Sequence, residues 1–215
     1  MNKLFLLVFC VVAGINGFAQ DQKAKAILER VTKSMKSNNT LQADFTYIME
    51  NKSENIYEEN LGKVTLNGEK YKLELPSLGL EIFCNGKIIW SFVKDANEVS
   101  ITSSDDEVTG LMNPVKLFTI YQYGFENRFV EEKNIDGVTV YVVDLFPEDE
   151  SVEYKKMQIQ IDKNRMMIRS VFMMGHDGND YTVKVNNIKN NVSVNDRMFV
   201  FNKKDYPDVE ETDLR

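Results

Sequence analysis

Residues 62–75 read GKVTLNGEKYKLEL, and this stretch decides the fold class. Apolar side chains occupy every second position, first at Val64 and Leu66 and then at Tyr71, Leu73 and Leu75. A period of two is the period of a β-strand with one buried face. The dipeptide at 67–68 that separates the two runs, Asn-Gly, is typical of tight hairpin turns. The stretch therefore predicts two antiparallel strands joined by a short loop.

The same period recurs in both directions from this hairpin. Further dipeptides of the turn type, at 85–86, 136–137 and 177–178, separate apolar runs, and 163–164 marks a further turn. Connections this short cannot join parallel strands, so the strands are expected to form an antiparallel meander. One additional predicted strand begins at 41. The others cover 80–84, 87–93, 97–102, 125–131, 138–145, 155–162, 165–174, 181–188 and 199–201.

Two helices are expected to accompany the strands. Asp21 can cap the first helix, which ends at Ser37–Asn39 and carries one apolar stripe made of Ala24, Ile27, Leu28, Val31 and Met35. Asn113 and Pro114 open a second, short helix that Gly124 closes. Roughly ten short strands are too many for a simple flat layer. The predicted fold class is α+β and mainly antiparallel β, with a strongly curved, incomplete β-barrel covered by helices.

The N-terminus has the features of a secretory signal peptide. Lys3 precedes an apolar run from Leu4 to Val12, and residues 17–19, Gly-Phe-Ala, supply the small side chains that signal peptidase accepts. The run is too short to span a bilayer. We therefore expect residues 1–19 to be removed and residues 20–215 to form a single domain that is exported and soluble.

Composition excludes several classes of function. The chain of 215 residues has 33 acidic and 26 basic residues, a net charge of −7, which argues against a nucleic-acid partner. Two Cys and one His are too few ligands for multi-Cys zinc sites, iron–sulfur clusters or His-rich metal centres. No metal and no cofactor are expected. The acidic groups 105–107 and 148–150 lack the alternating spacing of a calcium loop.

Candidate catalytic groups are sparse, so no enzyme is predicted. His176, the only histidine, lies in a predicted turn, and no Gly-x-Ser-x-Gly elbow accompanies it. Cys84 lies in an apolar strand with no neighbouring cation in the sequence, as expected of a small core residue.

Large apolar side chains are abundant instead. The chain has 13 Phe, 9 Tyr and 10 Met, and the strand from Met166 to Met174 is apolar at both parities. One explanation is that helices cover one sheet face and loops the other. The alternative is an apolar cavity, for which flexible Met and broad aromatic rings are suited.

The order of several short motifs resembles the outer-membrane lipoprotein carrier family (LolA- and LolB-like proteins). An amphipathic helix precedes Leu41–Phe45, and the hairpin strand 62–66 leads to Tyr71. Residues 82–90, IFCNGKIIW, resemble the family's strand–Asp-Gly-Lys–strand–Trp hairpin. The later matching pieces are 145–147 (LFP), 159–166 and 199–201 (FVF). One departure is residues 67–69, Asn-Gly-Glu, which stand where the family has a Lys-Arg-Pro turn whose arginine fastens the lid.

The resemblance implies a periplasmic, non-catalytic carrier with an unclosed barrel whose apolar interior holds lipoprotein acyl chains. An inner-membrane donor complex and an outer-membrane acceptor are implied as partners, and we expect a monomer. By strand position and parity, the candidate lipid-binding residues are Phe45, Tyr47, Met49, Val64, Leu66, Tyr71, Leu73, Ile82, Trp90 and Phe92.

Two alternatives of other classes remain open from the sequence. One is an envelope interaction or sensor module that uses the same fold to recognise another lipid or a protein segment. The other is an envelope hydrolase that depends on His176.

Overall fold

The computed structural model describes residues 21–35, 37, 40–105, 124–149 and 151–215. The described part of helix α1 covers residues 21–35. The strands are β1 (Thr40–Asn51), β2 (Ile56–Asn67), β3 (Lys70–Leu75), β4 (Leu80–Cys84), β5 (Ile88–Val93), β6 (Glu98–Ser103), β7 (Phe125–Ile135), β8 (Val138–Pro147), β9 (Tyr154–Asp162), β10 (Met167–Gly175), β11 (Asp180–Asn190) and β12 (Glu210–Asp213).

The described strands form one sheet in the order β12-β6-β5-β4-β3-β2-β1-β11-β10-β9-β8-β7. Every neighbouring pair is antiparallel except β12 and β6, which are parallel. The prediction of an α+β, mainly antiparallel protein is confirmed. The prediction of a strongly curved barrel is wrong, because the sheet is neither closed nor strongly curled.

Tight turns fix the register where the sequence predicted them. Asp136 and Gly137, which join β7 to β8, both have positive φ angles, as the favoured two-residue hairpin turn requires. The β2–β3 loop is Gly68-Glu69, one residue later than predicted, because Asn67 still pairs with Lys70. The resulting hairpins account for most of the sheet.

Helix α1 covers one half of one sheet face, which we call the inner face. Its predicted stripe is buried, with Ala24 and Val31 fully inaccessible to solvent. It packs on apolar residues of β8, β9 and β10, among them Val143, Ile159 and Val171. Burial of each such side chain contributes about 1.5–3 kcal/mol, so this contact is a principal source of stability.

The opposite, outer face has a core of its own. Phe83 and Phe92 of β4 and β5 pack against Phe201 and Tyr206 from the C-terminal segment, with ring centroids 4.5–5.8 Å apart. Two 3₁₀ turns in this segment, Asp196–Phe199 and Lys203–Asp205, position the rings. A sheet that buries apolar residues on both faces does not need to curl around one interior.

Several sequence predictions differ from the structure. The strand predicted at 199–201 is wrong, since Asp196–Phe199 forms a 3₁₀ turn and the following residues pair with no strand. Strand β12 was not predicted, because its residues are all exposed and carry no apolar alternation. The signal peptide predicted at 1–19 and the helix predicted from 113 to 123 lie outside the described residues.

A close contact between β1 and β2 depends on glycine. The ring of Phe45 lies over Gly62, its partner across the ladder, in the space that a Cβ atom would occupy. The glycine thereby leaves room for the far end of the Phe45 ring.

We expect Gly62→Ala to destabilise the protein by about 1–3 kcal/mol, the usual cost of overpacking a core. The added methyl group must displace the Phe45 ring, whereas Lys63→Ala, at the exposed neighbouring position, should change stability little. Urea unfolding followed by circular dichroism measures both variants. A Gly62→Ala protein as stable as the Lys63→Ala protein would contradict the contact.

Candidate functional site

The inner face continues from α1 across β1 to β5 as a second apolar cluster. Register places its side chains in rows that cross the strands: Ala43, Val64, Leu73 and Ile82 form one row, and Leu41, Leu66, Tyr71, Cys84 and Ile89 form the next. All of these residues are at most 7% exposed. Met35 of α1 packs against both this cluster and the one beneath the helix, so the two belong to one surface.

The structure brings eight of the ten predicted lipid-binding residues onto this surface. Val64, Leu66, Tyr71, Leu73 and Ile82 lie in the two rows, and Phe45, Tyr47 and Met49 extend from Ala43 along β1.

Trp90 and Phe92 lie on the outer face. Ile82 lies on the inner face and pairs with Ser91, so Ser91 shares that face and its neighbours Trp90 and Phe92 point to the other. The alternation predicted for β5 was therefore shifted by one residue. Both rings belong with the outer-face aromatic cluster instead. The inner-face residue of β5 that the sequence reasoning missed is Ile89, which pairs with Cys84, and no sequence signal separates it from the equally apolar Trp90.

A half-buried rim borders the inner cluster along β1 and β11. Val183, Val185 and Ile188 of β11 pack against it while staying partly exposed. Tyr47 also packs here, and its ring stacks on Tyr181 with centroids 6.2 Å apart. Burial raises the pKa of Tyr47, and the neighbouring Tyr181 and Glu58 add to the effect. The rim is the accessible border of an otherwise dry surface.

Tyr71 and Cys84 show how apolar the cluster is. Each is 1% exposed, and they face each other across β3 and β4. Burial raises the pKa of the Tyr71 hydroxyl strongly and raises that of the Cys84 thiol. Both groups are therefore neutral at physiological pH, and Cys84 acts as a core side chain rather than a nucleophile.

We expect Cys84 in the folded protein to react slowly with Ellman's reagent at neutral pH. The thiolate is the reacting form, and a raised pKa lowers its fraction at every pH below that pKa. Concentrated urea should expose the thiol and restore the rate of a free cysteine. Equally fast labelling with and without urea would contradict the burial of Cys84.

The outer face carries a wide cleft beside the aromatic cluster. It has a volume of about 1080 Å³ and includes Lys72, Phe83 and Tyr206. The Lys72 ammonium lies 3.2 Å from a carboxylate oxygen of Glu74 and 3.0 Å from one of Glu81. Burial alone lowers the Lys72 pKa, but Glu81 and Glu74 raise it overall. The cation is thus already neutralised by two acids.

The other candidate groups do not assemble a reactive centre. His176 is exposed in the β10–β11 turn, where its backbone N–H donates to the carbonyl of Glu153. Asp149 accepts from Ser151, which lowers the pKa of its carboxyl, while positions 106, 107 and 150 lie outside the described residues. Within the described ranges, no three His, Cys, Asp or Glu side chains are grouped so as to hold a metal ion.

A family model described as "Outer membrane lipoprotein carrier protein LolA" matches residues 36–202. The chain belongs to the LolA family. The match spans β1 to β11, including the whole inner cluster on the sheet. No curated protein matches the sequence. Among the described residues, no helix is both long enough and apolar enough to cross a membrane.

Several solved structures are similar to this chain at low sequence identity. An uncharacterized conserved protein from Thermus thermophilus is 15% identical with a TM-score of 0.61, over 89% of this chain and 99% of that one. A DUF1329 family protein from Desulfovibrio piger is 9% identical with a TM-score of 0.50, over 84% and 97%. A LolA superfamily protein from Nitrosomonas europaea is 13% identical with a TM-score of 0.46, over 83% and 97%.

Proposed function

We propose that this LolA-family protein is a non-catalytic carrier that binds the acyl chains of lipoproteins, or of another lipid, on the inner face of its sheet. The observation that carries the proposal is the continuous apolar surface of β1 to β5, bordered by the half-buried rim of β11. Family membership supports the same conclusion, because the matching family model describes a lipoprotein carrier.

The energetics of transfer explain why such a surface is needed. Each CH₂ group of an acyl chain that leaves a membrane for water costs about 0.8 kcal/mol. A chain of about fifteen such groups therefore costs on the order of 12 kcal/mol. A carrier offsets this cost only if the acyl chain leaves water for apolar surroundings. The chain would enter at the half-buried rim of β1 and β11, next to the buried rows that cross β1 to β5.

The polar groups of the cluster do not oppose this role. The Tyr71 hydroxyl and the Cys84 thiol are neutral, since burial raises the pKa of each. An acyl chain placed beside them meets no charge. Release of so apolar a cargo then requires a partner or a conformational change.

The cellular setting is part of the proposal. We infer that residues 1–19 direct export, that residues 20–215 act as one monomeric domain in the periplasm, and that cargo passes from an inner-membrane donor to an outer-membrane acceptor. The negative net charge of −7 suits a carrier that remains dispersed between membranes.

Site-directed photocrosslinking tests where the cargo lies. The crosslinking amino acid p-benzoylphenylalanine replaces Tyr47 at the rim of the inner cluster in one variant and Trp90 on the outer face in the other. Both positions carry half-buried aromatic rings, so the two variants are matched in shape and exposure. A triacylated lipopeptide should crosslink at 47 and not at 90.

Equal crosslinking at both positions would place the cargo elsewhere. Absence of crosslinking at 47 with efficient crosslinking at 90 would assign the role to the outer face. Either result would contradict the proposed use of the inner face.

A further inference from the structure

The sheet opens between β10 and β11. These strands pair only from Ser170 with Lys184 to Met174 with Asp180. On the N-terminal side of Ser170, β10 pairs only with β9. On the C-terminal side of Lys184, β11 pairs only with β1, as far as Asn190. The described residues of the two strands thus leave a seam in an otherwise continuous ladder.

Two bulges lie at the start of this seam. In β10 the register against β9 shifts at Arg169, between Ile168 and Ser170. In β11 the register against β1 shifts at Asn186, because Asp44 pairs with Asn187 while Phe45 pairs with Val185. A bulge bends its strand and redirects a side chain, and bulges are frequent beside functional sites. Here both bulges adjoin the same opening.

The seam holds a cavity of about 450 Å³. This volume falls within the range of about 300–1,000 Å³ that is usual for small-molecule sites. Met167 and Ile168 line it from β10, and Val185 and Ile188 line it from β11. Met167 belongs to the cluster on β1 to β5 and Ile168 to the cluster beneath α1, so the cavity adjoins both halves of the inner face.

The polar part of the lining includes a guanidinium group with a donor atom that makes no hydrogen bond to any described residue. Arg169 lines the cavity, and its Nη1 atom is buried without a hydrogen-bond partner in the described part of the chain. A buried donor of a charged group that lacks a partner is costly, so such atoms call for a ligand or another explanation.

The other charges of the lining leave the cavity cationic. Arg165 adds a second positive charge, and Asp162 supplies a negative one. The Asp162 Oδ1 atom already accepts hydrogen bonds from the backbone N–H groups of Asn164 and Arg165. One oxygen of this carboxylate is therefore engaged in the β9–β10 turn, whereas the buried Arg169 Nη1 donor has no partner among the described residues.

We propose that the seam cavity binds the anionic head of an amphipathic lipid through Arg169, while the acyl chain runs onto the inner face past Met167 and Val185. The proposal rests on the carrier function and adds to it a preference for acyl lipids that carry a carboxylate or phosphate next to the chain. Because a guanidinium prefers such oxyanions, this site would select among lipids of equal chain length.

Binding of palmitate and of 1-hexadecanol tests the proposal. The two probes share an acyl chain length and differ in the charge of the head. The wild-type protein should bind palmitate about tenfold more tightly or better, the usual effect of one charge-assisted hydrogen bond. Arg169→Gln should remove this preference by weakening the binding of palmitate.

Lys184→Gln is the matched control. It removes the same charge from an exposed side chain at the end of the β10–β11 ladder that does not line the cavity. It should keep the preference for palmitate. Circular dichroism reports folding of both variants, and Arg169→Gln should be as stable as the wild type because it removes an unpaired buried donor.

The outcomes separate this proposal from the carrier function. If both probes bind and Arg169→Gln leaves the preference intact, or if no preference exists, the head-group site is wrong and the carrier function stands. If neither probe binds the wild type, this proposal fails, and the carrier function fails with it only if a triacylated lipopeptide does not bind either. If inorganic phosphate binds the wild type but not Arg169→Gln, and competes with neither probe, the site binds free anions. That result would overturn the lipid assignment.

Discussion

The inner face of the sheet must be kept away from water, and much of the structure is arranged around this requirement. Buried or half-buried apolar residues lie on this face in every strand from β5 through β1 to β8, and the seam between β10 and β11 interrupts the ladder among them. Helix α1 covers the half formed by β8 to β10 and reaches the other half through Met35. Gly62 contributes locally, because its missing side chain leaves room for the Phe45 ring.

The outer face explains why the sheet stays open. Phe83, Phe92, Phe201 and Tyr206 bury the far side of β4 and β5 beneath the C-terminal segment. The two faces therefore have separate cores, and no closed barrel is needed to bury the abundant aromatic residues. Of the two explanations offered for those residues, the packing of aromatic rings beneath a covering segment accounts for the outer face, and a cargo site on the inner face is our proposal.

The hairpins could be predicted from sequence because their turn residues act locally. Asp136-Gly137 is an example, since both residues adopt the positive φ angles that this dipeptide favours. Parity in β5 could not be predicted, because Ile89 and Trp90 are both apolar and only pairing with β4 decides which one faces inward. The seam was also inaccessible to sequence analysis. The bulges at Arg169 and Asn186 arise only when the strands pair, so no local residue pattern marks them. Strand β12 could not be predicted either, because it joins β6 through exposed polar residues.

The family assignment, the inner face and the seam cavity converge on a carrier of acyl lipids. Native mass spectrometry of the protein purified from its own cell envelope without detergent tests this claim most directly. We predict adducts whose masses correspond to acyl lipids or acylated peptides, and their loss on mixing with excess empty membrane vesicles. A protein that never carries such a mass, and never acquires one from a triacylated lipopeptide or from palmitate, would contradict the account.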